Sequence, residues 1–442
     1  MKKLLTLLLL TGSIFAQQPV DTTLVVTQQT NIVEVAKDSI KTLNEELFSD
    51  NDLKLIDSLL VEERFNSSLF DSIQYVLNDK DILLQQNNTF TAVTTDVLKE
   101  RLAIIDEKTP FHLAYNPALE KVINSYLKHR KKYYPALMAR AEYYFPMFEQ
   151  YLDQYNIPLE MKYLAIVESA LRPTAQSHVG ASGLWQFMFG TGKQFNLKIS
   201  SYVDERHHPV KSTIAACKYL SQLYKIFGDW DLALAAYNSG PGNVLKAIKR
   251  SGGYKNYWNI RPYLPTETAG YVPAFYATMY IFNYAKEHDL YPENPEIYHF
   301  ETDTIRIKRT ISFDQISEKT GVDTDLLSFL NPHYKLDIIP FVKDRNYSVR
   351  LPRKYLVDFL EKEDEIYALA NEEDAKREKP LPKYFEMDKR IRYKVRSGDY
   401  LGKIANKFGV RVSDIKRWNG LRSHHLKIGQ RLSIYPKKLA AL

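Results

Sequence analysis

A single cysteine, Cys217, stands in 442 residues, so no disulfide can form within the chain. Cys217 lies in the Ala-rich stretch Thr213-Ile214-Ala215-Ala216-Cys217, where an inert, buried thiol is expected. Tryptophan is scarce too, with 4 residues against 31 tyrosines. Tyrosine suits a carbohydrate surface, because the ring stacks on a sugar face while the hydroxyl hydrogen-bonds, although most of the 31 are expected at helix interfaces. Apolar runs long enough to cross a bilayer are missing. The one candidate, Leu4 to Leu10, is too short. It follows Met1-Lys2-Lys3 and precedes Thr11-Gly12-Ser13-Ile14-Phe15-Ala16, the pattern of a secretory signal peptide over residues 1–16, cleaved near Ala16. No Cys follows that run, so the usual lipid attachment point is absent. The expectation is an exported, soluble, monomeric protein without a transmembrane segment, periplasmic or associated with the cell envelope. A Gly-rich phosphate loop is absent. His207-His208 and His424-His425 are adjacent pairs without Cys or carboxylates at ligand spacing, so no metal and no cofactor is expected.

The net charge of +7 is unevenly spread. Residues 20–100 hold 15 acidic and 6 basic residues, a balance of −9, whereas residues 382–442 hold 16 basic and 4 acidic, a balance of +12. A basic tail points to an anionic partner. Nucleic acid is set aside, since no recognisable binding motif accompanies the charge. In an exported protein, cell wall or anionic lipid fits better.

Apolar content of 45% over this length is ordinary for a globular chain of two to four domains. Residues 17–100 are polar, acidic and nearly devoid of Gly and Pro, and read as a loosely ordered leader. From 101 to 295 the pattern is helical throughout. One helix starts at Pro158 and runs through Leu159, Tyr163, Leu164, Ile166, Val167 and Ala170, stopping near Arg172-Pro173. Another follows Pro209 and ends at Phe227-Gly228, and a third runs from Asp231 to Tyr237. The texture then changes. Residues 300–355 read as strand, two short helices and closing strand, 356–388 as a charged linker, and 389–437 as a second strand–helix–helix–strand unit.

The chemistry concentrates in the helical region. Glu168 ends an apolar run, with Leu164 one turn back and Val167, Ala170 and Leu171 around it. A carboxyl among apolar side chains is suited to protonate a glycosidic oxygen near neutral pH. Nine residues on, Ser177-His178-Val179-Gly180-Ala181-Ser182-Gly183-Leu184-Trp185-Gln186-Phe187-Met188 supplies glycines for close backbone approach and an amide for sugar hydroxyls. Ser177 is a candidate to orient Glu168. Trp185 and Met188 read either as core or as the floor of a cleft. Tyr237 and Asn238 precede the turn Ser239-Gly240-Pro241-Gly242, and Tyr271 follows in Leu264 to Pro273. Glu267, the obvious second carboxylate, fits a turn brace better. Asp229 and Asp231 read as helix-start residues.

These four blocks, in order and spacing, resemble the catalytic domain of lytic transglycosylases of the membrane-bound D type, over about Ala114 to Tyr284. The resemblance implies a goose-lysozyme-like all-α fold and a carbon–oxygen lyase, glycoside hydrolase family 23-like, that cuts the MurNAc–GlcNAc β-1,4 bond of peptidoglycan and leaves 1,6-anhydro-MurNAc ends. It makes Glu168 the sole catalytic carboxyl, acid then base, with assistance from the substrate acetamido group. Ser177, Gln186, Met188, Tyr237, Asn238 and Tyr271 become substrate-site residues. One departure is visible: Phe189 stands where family members commonly have Pro.

Residues 391–436 resemble a LysM module of βααβ fold, through Tyr393 to Leu401, Ile404-Ala405, Trp418 to Leu421 and Leu426 to Gln430. By that resemblance Gly398, Asp399, Tyr400, Leu401, Leu426, Lys427, Ile428 and Gly429 bind GlcNAc-containing glycan, so peptidoglycan glycan strands are the partner. Residues 303–352 look like a degenerate copy, with Ile311-Ser312-Phe313 in place of the Gly-Asp loop. The overall expectation is multidomain: one all-α catalytic domain plus small α+β LysM modules. The alternatives are a hydrolytic muramidase on the same fold and a non-catalytic peptidoglycan-binding scaffold.

Overall fold

Among the described residues, ten helices in sequence build a layer that encloses one apolar core. The computed structural model describes residues 92–435, apart from 178–179, 296, 379, 383, 388–390, 409 and 422. The signal peptide and nearly all of the acidic leader lie outside the described residues. The helices are α1 (Thr95–Asp106), α2 (Pro117–His129), α3 (Tyr134–Gln154), α4 (Leu164–Ser169), α5 (Phe189–Gln194), α6 (Pro209–Phe227), α7 (Trp230–Ser239), α8 (Pro241–Arg250), α9 (Tyr257–Ile260) and α10 (Thr266–Asn283). Three start with Pro in the first turn after a capping side chain or a turn, where the missing N–H is harmless: α2 behind Asn116, α6 behind His208 and α8 behind Gly240. α1 straddles the expected boundary at residue 100, and its Leu98, Leu102 and Ile105 already belong to the core. α7 and α10 cross that core almost fully buried, Leu232 to Tyr237 on one and Tyr271 to Ile281 on the other. Helices this apolar all round are central helices, with amphipathic neighbours shielding them.

The helix predicted from Pro158 is split. Leu159–Tyr163 forms a 3₁₀ turn and only Leu164–Ser169 is α-helical. Ala170 and Leu171 then take positive φ angles of 51° and 57°. Two consecutive left-handed L-residues cost on the order of 1–3 kcal/mol each, offset here by complete burial of Leu171. Glu168 thus sits on the last turn of a short helix that stops abruptly.

Beyond residue 300 come two small α+β units. In the first, β1 (Thr302–Arg306) pairs antiparallel with β4 (Ser348–Pro352), Thr302 opposite Pro352 and Arg306 opposite Ser348. Between them lie β2 (Ile311–Ser312), α11 (Phe313–Thr320), α12 (Thr324–Leu330) and β3 (Ile338–Ile339). The Ile311–Ser312 stretch predicted as helix is the β2 strand. Ser312 then caps α11 in a reciprocal box with Gln315.

The segment predicted as a charged linker folds as α13 (Leu356–Glu361) and α14 (Glu363–Lys376). Its Phe359, Ile366, Tyr367 and Ala370 complete the core of the first unit. The last unit consists of β5 (Ile391–Lys394), α15 (Leu401–Phe408), α16 (Val412–Trp418) and β6 (Arg431–Ile434). β5 and β6 are antiparallel, and the unit has a core of its own. Among the described residues no helix is long and apolar enough to cross a membrane.

Candidate functional site

The end of α4 holds the central carboxylate. Glu168 is half-buried, and the Tyr271 hydroxyl of α10 donates a hydrogen bond to its Oε1. Tyr271 itself is fully buried, so this donor has no freedom to swing away. The next residue, Ser169, donates from its hydroxyl to the carbonyls of Ala165 and Leu184, both at 2.9 Å. That bond pins the helix end to the loop of residues 175–188.

The loop is a tight, self-bonded structure. The Ser177 amide donates to the Ala181 carbonyl at 2.9 Å, and the Ser177 hydroxyl accepts the Ala181 amide at 3.0 Å. Gln186, with φ 45° and only 7% exposed, donates its side-chain amide to the carbonyls of Gly183 (2.8 Å) and Ala175 (3.2 Å). The donors expected to meet sugar are therefore tied to the loop. Gly183, at φ +88°, packs against backbone, and an added Cβ would lie 1.9 Å from the Arg206 carbonyl oxygen.

Arg206 is the clamp that sequence reading missed. Its guanidinium donates to the carbonyls of Gly180 (2.9 Å) and Phe187 (3.2 Å) and makes a two-point bond to Asp204 at 3.0 and 2.7 Å. Both side chains are 5% exposed. Burial works to raise the Asp204 carboxyl, but the Arg206 guanidinium, with help from His207, outweighs it and holds it well below the usual carboxylate range. The pair lies in an irregular segment beyond α5, where no periodicity or motif flags it.

The remaining predicted residues converge on the same region from α7 and α10. Tyr237 is 1% exposed and donates its hydroxyl to the Trp185 carbonyl at 2.8 Å. Asn238 is half-buried, and its Oδ1 accepts the Thr268 hydroxyl at 2.8 Å. Met188, 2% exposed, packs on Ala181. Trp185, left open between core and cleft floor, is core: it is fully buried, with its indole N–H donated to Thr213 at 2.9 Å. Glu267 lies one turn before Tyr271, in the first turn of α10, where the helix dipole favours a carboxylate.

Asp229 caps α7 through the Leu232 amide at 2.8 Å, as a helix-start residue should. Asp231, read the same way, is different. It is 3% exposed, accepts the Tyr276 hydroxyl, and burial pushes its carboxyl up to about 7. Cys217 is buried, and burial pushes its thiol up to about 12.

In the C-terminal unit the two predicted loops leave the same end of the β5–β6 pair, because Gly429 donates to the Val395 carbonyl and Val395 to the Gln430 carbonyl, both at 2.8 Å. Gly398 and Gly429 take positive φ angles of 78° and 85° there. Tyr400 (64%) and Ile428 (74%) stand exposed, one on each loop, with Lys427 beside them. A Cβ on Gly402 would press to 3.0 Å on the Tyr400 ring, so that ring lies across a bare backbone. Leu426 is half-buried on the module core. Two residues turn inward instead. Leu401 is 2% exposed because α15 begins there and its first apolar side chain enters the core. The Asp399 carboxylate accepts the Arg396 amide and the Tyr393 hydroxyl, at 2.8 and 2.7 Å, and those bonds lower its carboxyl below the ordinary range.

Comparison with known families matches residues 146–260 to the transglycosylase SLT domain, residues 393–434 to the LysM domain and residues 301–368 to the "Lytic transglycosylase MltD, LysM-like domain". The last range includes α13. The soluble lytic murein transglycosylase of Escherichia coli (strain K12) is 34% identical over 136 residues, 29% of this chain and 21% of that protein. The solved 70 kDa soluble lytic transglycosylase of Escherichia coli aligns over 51% of this chain and 43% of its own, at 20% identity and a TM-score of 0.30, too low for shape to carry an argument. The membrane-bound lytic murein transglycosylase D of Escherichia coli (strain K12) is 32% identical over 338 residues, 75% of this chain and 72% of that protein. With identity sustained across nearly three quarters of both sequences, the chain belongs to the membrane-bound lytic murein transglycosylase D family.

Proposed function

We propose that the chain is a peptidoglycan lytic transglycosylase of the cell envelope that cuts the β-1,4 bond between MurNAc and GlcNAc, and that Glu168 is its one catalytic carboxyl. The observation that carries this reading is the half-buried Glu168 at the broken end of α4, hydrogen-bonded by the buried Tyr271. Glu168 gives its proton to the glycosidic oxygen as the bond to C1 breaks. The resulting carboxylate then takes the proton of the C6 hydroxyl as that oxygen attacks C1. The 1,6-anhydro ring closes, the acid is regenerated and no water is consumed. Tyr271 steadies the carboxylate between the two transfers. Thr268 fixes the Asn238 amide for contact with the saccharide. Ser177, Gln186, Met188 and Tyr237 act through the loop, keeping its backbone in place beside Glu168. The exposed Tyr400 and Ile428, with Lys427, support glycan contact by the C-terminal module, which holds the enzyme on its polymer.

The test is digestion of purified peptidoglycan followed by mass spectrometry. Fragments lighter by one water than the reducing-ended product are expected from the native chain. A Glu168→Gln variant should lose about 10²–10⁴-fold in rate. Reducing ends would instead assign hydrolysis with a second carboxylate, Glu267 being the one a turn from Tyr271. Undiminished lysis by the Glu168→Gln variant would remove Glu168 from the mechanism.

A further inference from the structure

The site's last residue, Met188, is followed by an aromatic that does not serve the cleft. Phe189 occupies the first position of α5, a place where proline is favoured because its N–H has no helical partner. Here the position carries a large ring, and the ring is 4% exposed. What covers it comes from the other end of the chain. Phe189 clusters with Ile199 and Met387, against Phe385, Trp418 and Tyr435. Its ring lies 5.1 Å from that of Tyr435, which in turn lies 5.2 Å edge-on to Trp418. Trp418 closes α16 and also packs on the core of the C-terminal module. One aromatic ladder therefore runs from the catalytic loop into that module.

The chain leading into the module is fastened to the same place. Met387 donates to the Ile199 carbonyl at 2.7 Å, and Ser201 donates to the Phe385 carbonyl at 3.0 Å. Phe385 donates its amide to the Ser201 hydroxyl at 3.2 Å, and Tyr202 donates its hydroxyl to the Pro382 carbonyl at 2.6 Å. Pro382, Phe385 and Met387 are thus bonded to 199–202, and Glu386 forms an antiparallel bridge with Ser200, a mode in which backbone bonds fix register. A tether that hung free would leave these groups to water.

We propose that Phe189, together with the 199–202 edge, is the seat of the C-terminal glycan-binding module. On this seat the module's loops keep a fixed spacing from Glu168, and one polymeric strand is gripped at two points by a single rigid body. Phe189 is a positioning residue: it touches neither sugar nor Glu168 and acts through Tyr435. Holding two sites at set spacing raises the effective concentration of the second contact, so the gain falls on long glycan and not on a short one.

The kinetic half of the test rests on the transglycosylase reading; the proteolytic half does not. In the full chain, Phe189→Ala and, from the module side, Tyr435→Ala are compared with the parent by limited trypsin digestion, whose target residues Arg377, Lys389 and Arg390 flank this contact and whose target Lys383 lies within it. Both variants should be cut there on the order of 10-fold faster, with an unchanged far-ultraviolet spectrum. On insoluble peptidoglycan both should raise KM by on the order of 10-fold and leave kcat alone. On a short soluble saccharide neither constant should move. Phe189→Leu, which keeps most of the apolar volume, should restore much of the loss. Unchanged trypsin cutting overturns the seat. Faster cutting with an unchanged KM on polymer overturns its role in substrate capture. A fall in kcat on the short saccharide overturns the assignment by making Phe189 part of the catalytic loop's own geometry.

Discussion

Tyr271 and Glu168 are 103 residues apart, yet the hydroxyl of one meets the carboxylate of the other. A hydrogen bond to a charged group contributes about 1.5–3 kcal/mol, and each 1.4 kcal/mol is roughly tenfold in rate. Tyr271→Phe should therefore lower kcat by on the order of 10- to 100-fold, with KM little changed because the hydroxyl is bonded to the enzyme and not to substrate. A kcat within twofold of the parent, measured as soluble fragments released per minute, would show that the bond only fills space. At this scale the sequence was readable where a motif names a residue and silent about where its side chain points. Tyr271 meets Glu168, and Asn238 meets Thr268. Tyr237 and Gln186 spend their polar atoms on the Trp185 carbonyl and on the loop, because a buried donor must find a partner wherever one is near. Asp204 and Arg206 could not be found at all, since a buried ion pair two residues apart has no pattern that separates it from an exposed one.

Among the elements, α7 carries both Asn238, proposed to contact the saccharide, and a buried acid. Asp231 keeps its proton up to about 7 because burial disfavours the anion, whereas in the unfolded chain it ionises near 3.8. Between those values the folded state binds the extra proton. Stability from this group is thus full below the unfolded value and is lost as pH rises towards 7, by about 1.4 kcal/mol per unit. Asp231→Asn stays neutral throughout and can still accept the Tyr276 hydroxyl. Its melting temperature should gain on the parent as pH goes from 5 to 8; parallel curves over that range would show that Asp231 is not the titrating group. Element boundaries were legible within one or two residues where capping chemistry marked them. α6 runs Pro209–Phe227 with Gly228 at φ 66°, and β6 runs Arg431–Ile434. The misread elements have different causes. α13 and α14 carry so many charges that their buried Phe359, Ile366 and Tyr367 were outweighed in the composition. Glu386 bridges Ser200 only because the edge at 199–202 is there to receive it.

At the scale of the whole molecule, a contact between two units carries titrating groups. The first α+β unit lies on the catalytic layer through Asp204, whose amide donates to the His333 carbonyl at 2.9 Å, and through Lys335, whose amide donates to the Tyr202 carbonyl at 2.8 Å. At this contact the rings of His208 and His333 are 4.3 Å apart. They line a small cavity of about 30 Å³ with Tyr143, His299, Asn331 and Arg350. Burial holds His333 well below the ordinary imidazole range, and His208, Lys211, His207 and Arg350 around it push the same way. Burial likewise lowers His208 to about 3. Both rings are neutral in the folded protein, while in the unfolded chain they take up protons near 6.5. The sign is opposite to that of Asp231. Above 6.5 nothing is lost, and as pH falls below it the unfolded state binds protons that the folded state refuses, costing at most about 1.4 kcal/mol per unit for each ring. Acid should therefore loosen this contact before it melts either core, because the unfavourable charge would fall between two units that each have their own apolar centre. Hydrogen exchange at pH 7 and pH 5 reads this directly. The amides of Asp204 and Lys335 should lose protection on acidification while those of α7 and α10 keep theirs, and His333→Asn should flatten the difference. Equal loss across all four places would mean that the units unfold as one, and that the paired imidazoles do not set the weak point of the assembly.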